Sequence, residues 1–182
     1  SFSNNKKISV LKKINYSFEK GKVYSVMGPS GSGKSTLLNI LSMIDKPTIG
    51  SLLINDKIIN FSKTVVNDKV RAKKIGIIYQ QNNLLPDFTA LENVYLARLA
   101  LSNDKKNSIE KAKNIIKKMG LSSREHHYPS ELSGGEMQRI AIARALINEP
   151  EIILADEPTG SLDHSTAKDV FKVLYNLKNK NR

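Results

Sequence analysis

The sequence contains Gly28-Pro29-Ser30-Gly31-Ser32-Gly33-Lys34-Ser35, a complete G-x-x-x-x-G-K-[ST] pattern, and this stretch decides the fold. A β-prone run, Lys22 to Met27, precedes the pattern, and helix-forming residues, Lys34 to Met43, follow it. A strand, a glycine-rich turn and a helix in this order are typical of a phosphate-binding loop. The pattern therefore predicts an α/β nucleotide-binding domain in which residues 28–36, ending at Thr36, bind the phosphates.

Each residue type in the loop has a physical reason. Glycines let successive backbone N–H groups point at phosphate oxygens, and the helix that begins near Lys34 adds its positive end. Lys34 places a charge between the β- and γ-phosphates, and the Ser35 hydroxyl ligates Mg²⁺. The predicted ligands are therefore ATP and Mg²⁺.

A second half of such a site follows the apolar run Ile152–Ala155, which predicts a strand buried in a parallel sheet. Two acids, Asp156 and Glu157, come directly after it. We expect Asp156 to hold Mg²⁺, usually through water, and Glu157 to accept a proton from the attacking water. The alternative for Glu157 is a solvated carboxylate at a strand end.

Composition limits the class of protein. A length of 182 residues suits one domain with a sizeable core, and the absence of Cys excludes a disulfide framework, Cys-ligated zinc and a thiol nucleophile. No apolar run approaches the roughly 18 residues of a membrane span, so we predict a soluble, cytosolic chain. The three His residues have no metal-ligand partners at suitable spacing.

The net charge of +12 raises the question of an anionic partner. The Lys residues are spread along the chain as pairs, and no aromatic residues alternate with basic ones as in a base-stacking surface. We therefore expect no specific nucleic-acid partner, and we favour weak attraction to an anionic membrane surface.

The remaining patterns predict an α/β core interrupted by a mostly helical insert. The predicted domains are a first part of the ATP-binding core at 1–88, a helical subdomain at 89–147 and a second part of the core at 148–182. The predicted elements are strands at 10–18, 22–27, 74–79 and 152–155, a hairpin at 51–59 turning at Asn55-Asp56, and helices at 34–43, 89–119, 135–147 and 165–177. Thr89 is the predicted N-cap of the helix at 89–119, and Glu92 three residues later completes a capping box.

Leu132-Ser133-Gly134-Gly135-Glu136 closely resembles the signature motif of ABC-transporter ATPases, in which Gln is commoner than Glu at the last position. The resemblance implies the family's fold, with a parallel-rich sheet, an N-terminal antiparallel β part and a helical signature subdomain. It also implies a head-to-tail homodimer. In that dimer, Ser133, Gly134 and Gly135 of one protomer cover the γ-phosphate bound by the phosphate loop of the other.

Two further segments match the family in the right order. Gln80 resembles the Q-loop glutamine, which contacts Mg²⁺ and the attacking water, and Gly160-Ser161-Leu162-Asp163 resembles the D-loop, which crosses the dimer interface. Together these motifs imply ATP hydrolysis coupled to transport.

Two family features are incomplete in this sequence. The switch histidine of the family lies on the strand after the D-loop, beyond Arg182, and His164 is too close to the D-loop to replace it. We therefore expect a chain truncated at its C-terminus and poor in ATP hydrolysis on its own. Phe2 stands where the family has an aromatic residue that stacks on adenine, and a frayed terminal Phe is the alternative.

Residues 83–94 and 157–163 resemble the subfamily of lipoprotein-releasing, macrolide-exporting and cell-division ATPases. Residues 84–94 and 127–136 look closest to the lipoprotein-releasing members. This implies an ATPase that powers release of lipoproteins from the bacterial inner membrane, on whose cytoplasmic face it is a peripheral subunit. The alternatives are the ATPase domain of a macrolide exporter, a cell-division ATPase, a non-transport ABC protein acting on nucleic acid and a phosphotransferase.

The segment after Gln80 is apolar at Leu84, Leu85, Pro86 and Phe88, which is unusual for a free surface loop. We expect these residues to line the groove that accepts a helix from two integral membrane permease subunits. The alternative is ordinary packing between the core and the helical insert.

Overall fold

The structure, a computed structural model, describes residues 10–160 and 162–176. Phe2 lies outside the described residues. The elements, in chain order, are α1 (Lys34–Leu41), β1 (Leu53–Ile54), β2 (Lys57–Ile58), α2 (Thr64–Lys74), β3 (Ile75–Ile78), α3 (Ala90–Leu99), α4 (Lys105–Lys118), α5 (Gly134–Leu146), β4 (Ile152–Ala155) and α6 (His164–Asn176). Two short 3-10 turns, Ser122–Arg124 and Pro129–Glu131, lie between α4 and α5.

The parallel pair β3–β4 positions the chemistry. The register runs from Ile75 beside Ile152 to Ile78 beside Ala155, and the Asp156 N–H then donates to the Ile78 carbonyl at 2.9 Å. The carboxyl ends of both strands therefore meet at one edge, where α/β folds bind their ligands. Both predicted strands are confirmed, and β4 lies in a parallel pair as expected. Its residues are half-buried rather than buried as predicted, because within the described residues β4 pairs with β3 alone.

The hairpin β1–β2 is antiparallel, with Leu53 beside Ile58. Asn55 and Asp56 both have positive φ, 51° and 60°, as a tight two-residue hairpin turn requires. Asn and Asp tolerate this left-handed region better than other non-glycine residues. The predicted hairpin and its turn are confirmed.

The prediction of strands at 10–18 and 22–27 is wrong. In the described part of the chain, residues 10–27 make no backbone–backbone hydrogen bond to another segment. The rings of Tyr16, Phe18 and Tyr24 instead form a cluster with centroids 4.9 to 5.9 Å apart. Alternating apolar residues favour a strand, but a strand forms only where a neighbouring chain completes the ladder of hydrogen bonds.

The single helical stretch predicted over 89–119 divides into α3 and α4. Thr89 caps α3 in a capping box with Glu92, as the sequence suggests, and its N–H lowers the pKa of the Glu92 carboxyl. The break comes after Leu99, and Asp104 caps α4 by accepting from the Asn107 N–H at 3.0 Å. Helix α2 was not predicted, because its sequence is polar and carries no apolar stripe.

Helix α5 has two packed faces. Ile140, Ala143 and Ile147 join the hydrophobic cluster of α3 and α4, whereas Ile142 and Leu146 pack with β3, β4 and α6. The helix that begins with the signature motif therefore connects the helical part of the chain to the strand pair.

Candidate nucleotide-binding site

The phosphate loop turns through two glycines and is closed by its own lysine. Gly31 and Gly33 have φ of 79° and 94°, a left-handed backbone that favours glycine. The Lys34 Nζ donates to the carbonyls of Gly28 and Pro29 at 2.8 and 3.1 Å. The ammonium group is therefore held at the mouth of the loop by contacts that phosphate oxygens can replace.

Helix α1 begins at this loop without a side-chain cap. Its first hydrogen bond runs from the Leu37 N–H to the Gly33 carbonyl at 2.9 Å. Among residues 10–160 and 162–176, no partner accepts from the N–H groups of Lys34, Ser35 and Thr36. Unpaired donors at a helix N-terminus, next to an ammonium group that donates to two backbone carbonyls, suit a polyphosphate.

Asp156 lies beside α1 at the ends of the parallel strands. With Tyr79 it lines a cavity of about 60 Å³ that Leu38 of α1 also lines. Ser35 precedes Leu38 by three residues, so it lies on the same side of the helix. The described residues contain no cluster of three acids or histidines able to hold a metal. One carboxylate, from Asp156, and one hydroxyl, from Ser35, fit Mg²⁺, which commonly takes one or two carboxylates and completes its shell with water and substrate phosphates.

Gln80 and Glu157 come together at the turn after β4. A Cβ built on Gly160 would lie 3.2 Å from the Gln80 Nε2 and 3.4 Å from a Glu157 carboxylate oxygen. The Gly160 N–H donates to the Glu157 carbonyl at 2.9 Å, which closes the turn, and Glu157 itself has a φ of 42°. Two of the residues predicted to be catalytic thus share one small space.

The signature motif forms a second helix N-terminus. Ser133 Oγ accepts from the Glu136 N–H at 3.3 Å, and the Glu136 carboxylate accepts from the Ser133 N–H at 2.8 Å and the Arg124 Nε at 3.0 Å. The Ser133 N–H is the main cause of a lowered pKa at Glu136. Gly134 and Gly135 donate no hydrogen bond from their N–H groups within the described part of the chain. The S-x-x-E spacing in the sequence indicates the capping box between Ser133 and Glu136. It does not indicate Arg124, which the sequence analysis did not identify.

The D-loop residues lie beside the signature motif of the same chain. A Cβ on Gly135 would overlap the Thr166 Cγ2, so only glycine permits this approach of α5 and α6. Asp163 caps α6 by accepting from the Ser165 hydroxyl at 2.6 Å and the Thr166 N–H at 3.1 Å. These bonds, the Ser165 hydroxyl first, hold the pKa of Asp163 well below its usual range.

The apolar segment after Gln80 was expected either to contact a membrane partner or to pack between the core and the helical insert, and its residues differ in this respect. Leu84 packs against the cluster of α3, α4 and α5, which is ordinary core packing. Leu85, Pro86 and Phe88 are exposed. Only these last three residues are free to contact a partner.

A further group of residues that the sequence analysis did not identify holds the backbone of this segment. They are polar side chains that reach it from α3 and α5: Asn93, Gln138 and Arg144. Helical periodicity places each of them on a buried face, but it gives no indication of which carbonyl each one meets.

Comparison with known proteins agrees with this geometry. The sequence model of the family described as "ABC transporter" matches residues 11–160. The chain belongs to this ABC transporter family. Family membership confirms the predicted fold class, and the chain is an ABC ATPase that binds and hydrolyses ATP.

Relatives within the ABC family extend over most of the chain. The "Lipoprotein-releasing system ATP-binding protein LolD" of Rickettsia bellii is 50% identical over 166 residues, which cover 91% of this chain and 73% of that protein. The protein of the same name from Bacteroides thetaiotaomicron is 43% identical over 173 residues, 95% of this chain and 79% of that protein.

Solved ABC structures share the fold. A dimeric ATP-binding cassette in a post-hydrolysis state, bound to ADP and Pi, matches with a TM-score of 0.85 and 42% identity, covering 93% of this chain and 75% of that one. A cbiO1 structure from Clostridium perfringens, described as part of an ABC transporter complex, matches with a TM-score of 0.81 and 28% identity, covering 94% and 68%. None of the helices described here is long and apolar enough to cross a membrane.

Proposed function

We propose that this ABC ATPase is the ATP-binding subunit of a transporter that releases lipoproteins from the bacterial inner membrane. The observation that carries the proposal is 50% identity over 91% of the chain to a protein named as the ATP-binding subunit of a lipoprotein-releasing system. Residues 84–94, which resemble the lipoprotein-releasing members, include three exposed residues, Leu85, Pro86 and Phe88, that are available for a membrane partner.

The residues of the site divide the work of hydrolysis. The unpaired N–H groups of the phosphate loop and the Lys34 ammonium bind the β- and γ-phosphates. Ser35, Asp156 and Gln80 would hold Mg²⁺, whose charge offsets the negative charge that develops on the phosphates. Glu157 accepts the proton of the attacking water, and the neighbouring Gln80 amide orients that water.

The active form in this proposal is a head-to-tail homodimer. The phosphate loop supplies one anion site, and the N-terminus of α5 at Ser133–Gly135 supplies a second that the chain's own nucleotide does not need. When two protomers close on each other, the site at Ser133–Gly135 of one protomer binds the γ-phosphate of the nucleotide held by the other. Asp163 and the D-loop lie next to this surface, and the similar cassette bound to ADP and Pi is itself dimeric.

The membrane partners in this proposal are two permease subunits, which place the ATPase on the cytoplasmic face of the membrane. Leu85, Pro86 and Phe88 would contact them. Exposed apolar groups grouped on one loop are a common feature of protein interaction sites.

The test is a pull-down of the tagged protein from detergent-solubilised membranes, with partners identified by mass spectrometry. We expect two distinct membrane proteins with large periplasmic domains. Phe88→Asp should abolish their recovery, whereas Ile58→Asp, at an exposed apolar position on the hairpin outside this loop, should not. Recovery of no membrane protein, or of a cell-division protein instead, would overturn lipoprotein release while leaving the ATPase chemistry intact.

A further inference from the structure

The loop between β3 and α3 is held by side chains of the signature helix. Gln138 Nε2 donates to the Tyr79 carbonyl at 3.2 Å. Arg144 uses both terminal nitrogens, donating to the carbonyls of Asn82 at 2.7 Å and Asn83 at 2.6 Å. Gln138 is only 2% exposed, and burial lowers the pKa of Arg144. The position of this loop therefore depends on α5.

The second half of the same loop is held from α3. The Asn93 side chain, 2% exposed, accepts from the Leu85 N–H at 2.8 Å. Its amide nitrogen donates to the carbonyls of Leu85, Phe88 and Thr89 at 2.9 to 3.1 Å. All its polar atoms are paired, so the loop has a defined shape rather than a range of shapes.

Helix α5 is itself fixed at both ends. Near its C-terminus a Cβ on Gly76 of β3 would lie 2.6 Å from the Ala145 carbonyl oxygen, so strand and helix backbones are in direct contact. Near its N-terminus Gly135 lies against Thr166. Packing this close does not allow α5 to slide past its neighbours without a clash, so the helix moves as one body with β3.

We propose that Arg144 is a positioning residue that fastens the loop after Gln80 to the signature helix. Helix α5, strand β3 and the loop after Gln80 then form one rigid body. One end of that body presents Ser133–Gly135 to a nucleotide, and the other end carries Phe88 towards a membrane partner. Contact at either end then displaces the other because Arg144 fixes the distance between them. The part that concerns the membrane partner rests on the proposed function.

The planar fork of Arg144 is the feature to test. A guanidinium donates to two adjacent carbonyls at once, whereas an ammonium at the same place is a point charge that lacks this geometry. Arg144→Gln removes both the charge and the fork, and Arg144→Lys removes the fork alone. Arg98→Gln is the matched control, because Arg98 makes one 3.4 Å contact to Asn148 outside the loop.

The first readout is hydrogen exchange in the isolated protein. The N–H groups of Leu84, Leu85 and Phe88 donate hydrogen bonds within the loop or to Asn93, so their exchange reports on its order. We expect Arg144→Gln to accelerate exchange in residues 80–88 by about tenfold or more while α4 is unchanged. Arg98→Gln should leave residues 80–88 as in the natural protein. Unchanged exchange there in folded Arg144→Gln would overturn the proposal.

The second readout is steady-state ATP hydrolysis. Because Gln80 loses its position, Arg144→Gln should lower kcat by about 10- to 100-fold. The KM for ATP should stay within about threefold, because the phosphate loop is untouched. Arg144→Lys, which keeps the charge and the buried stem, covers the case in which Arg144→Gln does not fold. If Arg144→Lys shows the same hydrogen exchange in residues 80–88 and the same kcat as the natural protein, the proposal is wrong. If neither variant folds, Arg144 is a structural residue and not a positioning residue.

The third readout separates this inference from the proposed function. In the complex with the recovered membrane subunits, Arg144→Lys should still bind them but lose most of the stimulation of ATP hydrolysis that they give the natural protein. If the natural protein recovers no membrane subunits, the proposed function fails, and the exchange experiment still decides the role of Arg144.

Discussion

The Glu136 carboxylate in the signature motif provides a quantitative test of how this helix is held. Its side chain is 17% exposed and accepts from the Ser133 N–H and from Arg124. Glu136→Gln keeps an oxygen that can close the capping box but removes the charge opposite Arg124. Glu136→Ala removes both interactions. The two variants therefore separate the cap from the ion pair.

The magnitudes follow from exposure. Ser133 Oγ still caps the helix in Glu136→Ala, so the variant loses only the bond from the Ser133 N–H to the carboxylate. Loss of that hydrogen bond should cost about 1 kcal/mol of the free energy of unfolding. The Arg124 side chain is 43% exposed, so water screens the ion pair, and its loss should cost about 0.5 kcal/mol. We expect Glu136→Gln to lower Tm by roughly 1–2 °C and Glu136→Ala by roughly 3–6 °C, at 2–4 °C per kcal/mol for a chain of this size.

The ion pair should also depend on pH with a definite sign. Because the folded pKa of Glu136 is lowered, its charge stabilises the fold fully above the unfolded pKa of about 4.3. That stabilisation is lost as the pH falls through the lower, folded pKa. The difference between the natural protein and Glu136→Gln should therefore shrink from pH 7 to pH 3.

Urea unfolding followed by circular dichroism at the two pH values measures these differences. Glu131→Gln is the control, because Glu131 also accepts a capping N–H, from Tyr128, but forms no ion pair among the described residues. The reasoning is refuted if Glu136→Gln costs as much as Glu136→Ala, or if its cost is the same at pH 7 and pH 3.

Other predictions concern the nucleotide and the helix contacts. Lys34→Ala should weaken ATP binding by about 10- to 100-fold, because charge-assisted hydrogen bonds are lost, and unchanged affinity in calorimetry would contradict this. Glu157→Gln should bind ATP but slow hydrolysis by about 10²- to 10⁴-fold, so that an ATP-bound dimer accumulates in gel filtration; a monomer alone would count against its role. Gly135→Ala should destabilise the protein by about 1–3 kcal/mol, because its Cβ overlaps Thr166. Gly134→Ala, whose Cβ meets only an ordinary 3.6 Å contact, should not, and equal thermal stability of the two variants would argue against this packing.

Sequence patterns predicted the elements that local chemistry determines. The start of α1 at Lys34, the positive-φ turn at Asn55-Asp56 and the capping box at Thr89 each depend on residues within four positions of one another. Residues 10–27 show the limit of such patterns. Their alternation favours a strand, but pairing needs a second chain segment that the pattern does not specify.

The candidate site divides in the same way. Contiguous motifs identified the phosphate loop, the signature motif and Asp156-Glu157 because backbone geometry and ligand chemistry are encoded in adjacent residues. The partners in two other contacts are distant in sequence. Arg144 and Asn82 are 62 residues apart, and Arg124 and Glu136 are 12 residues apart. Nothing in the period of a helix specifies such partners, which depend on how the elements pack.

The backbone of Glu157 places stability and function in conflict at one position. Its φ of 42° lies in the left-handed region, which disfavours a non-glycine residue by roughly 1–2 kcal/mol. Glycine would relieve that strain and remove the carboxylate together. Selection for thermal stability alone would therefore drive this position towards glycine, and the acidic residue can persist only under selection for turnover. Thermostabilised versions of this protein should be designed with position 157 held constant.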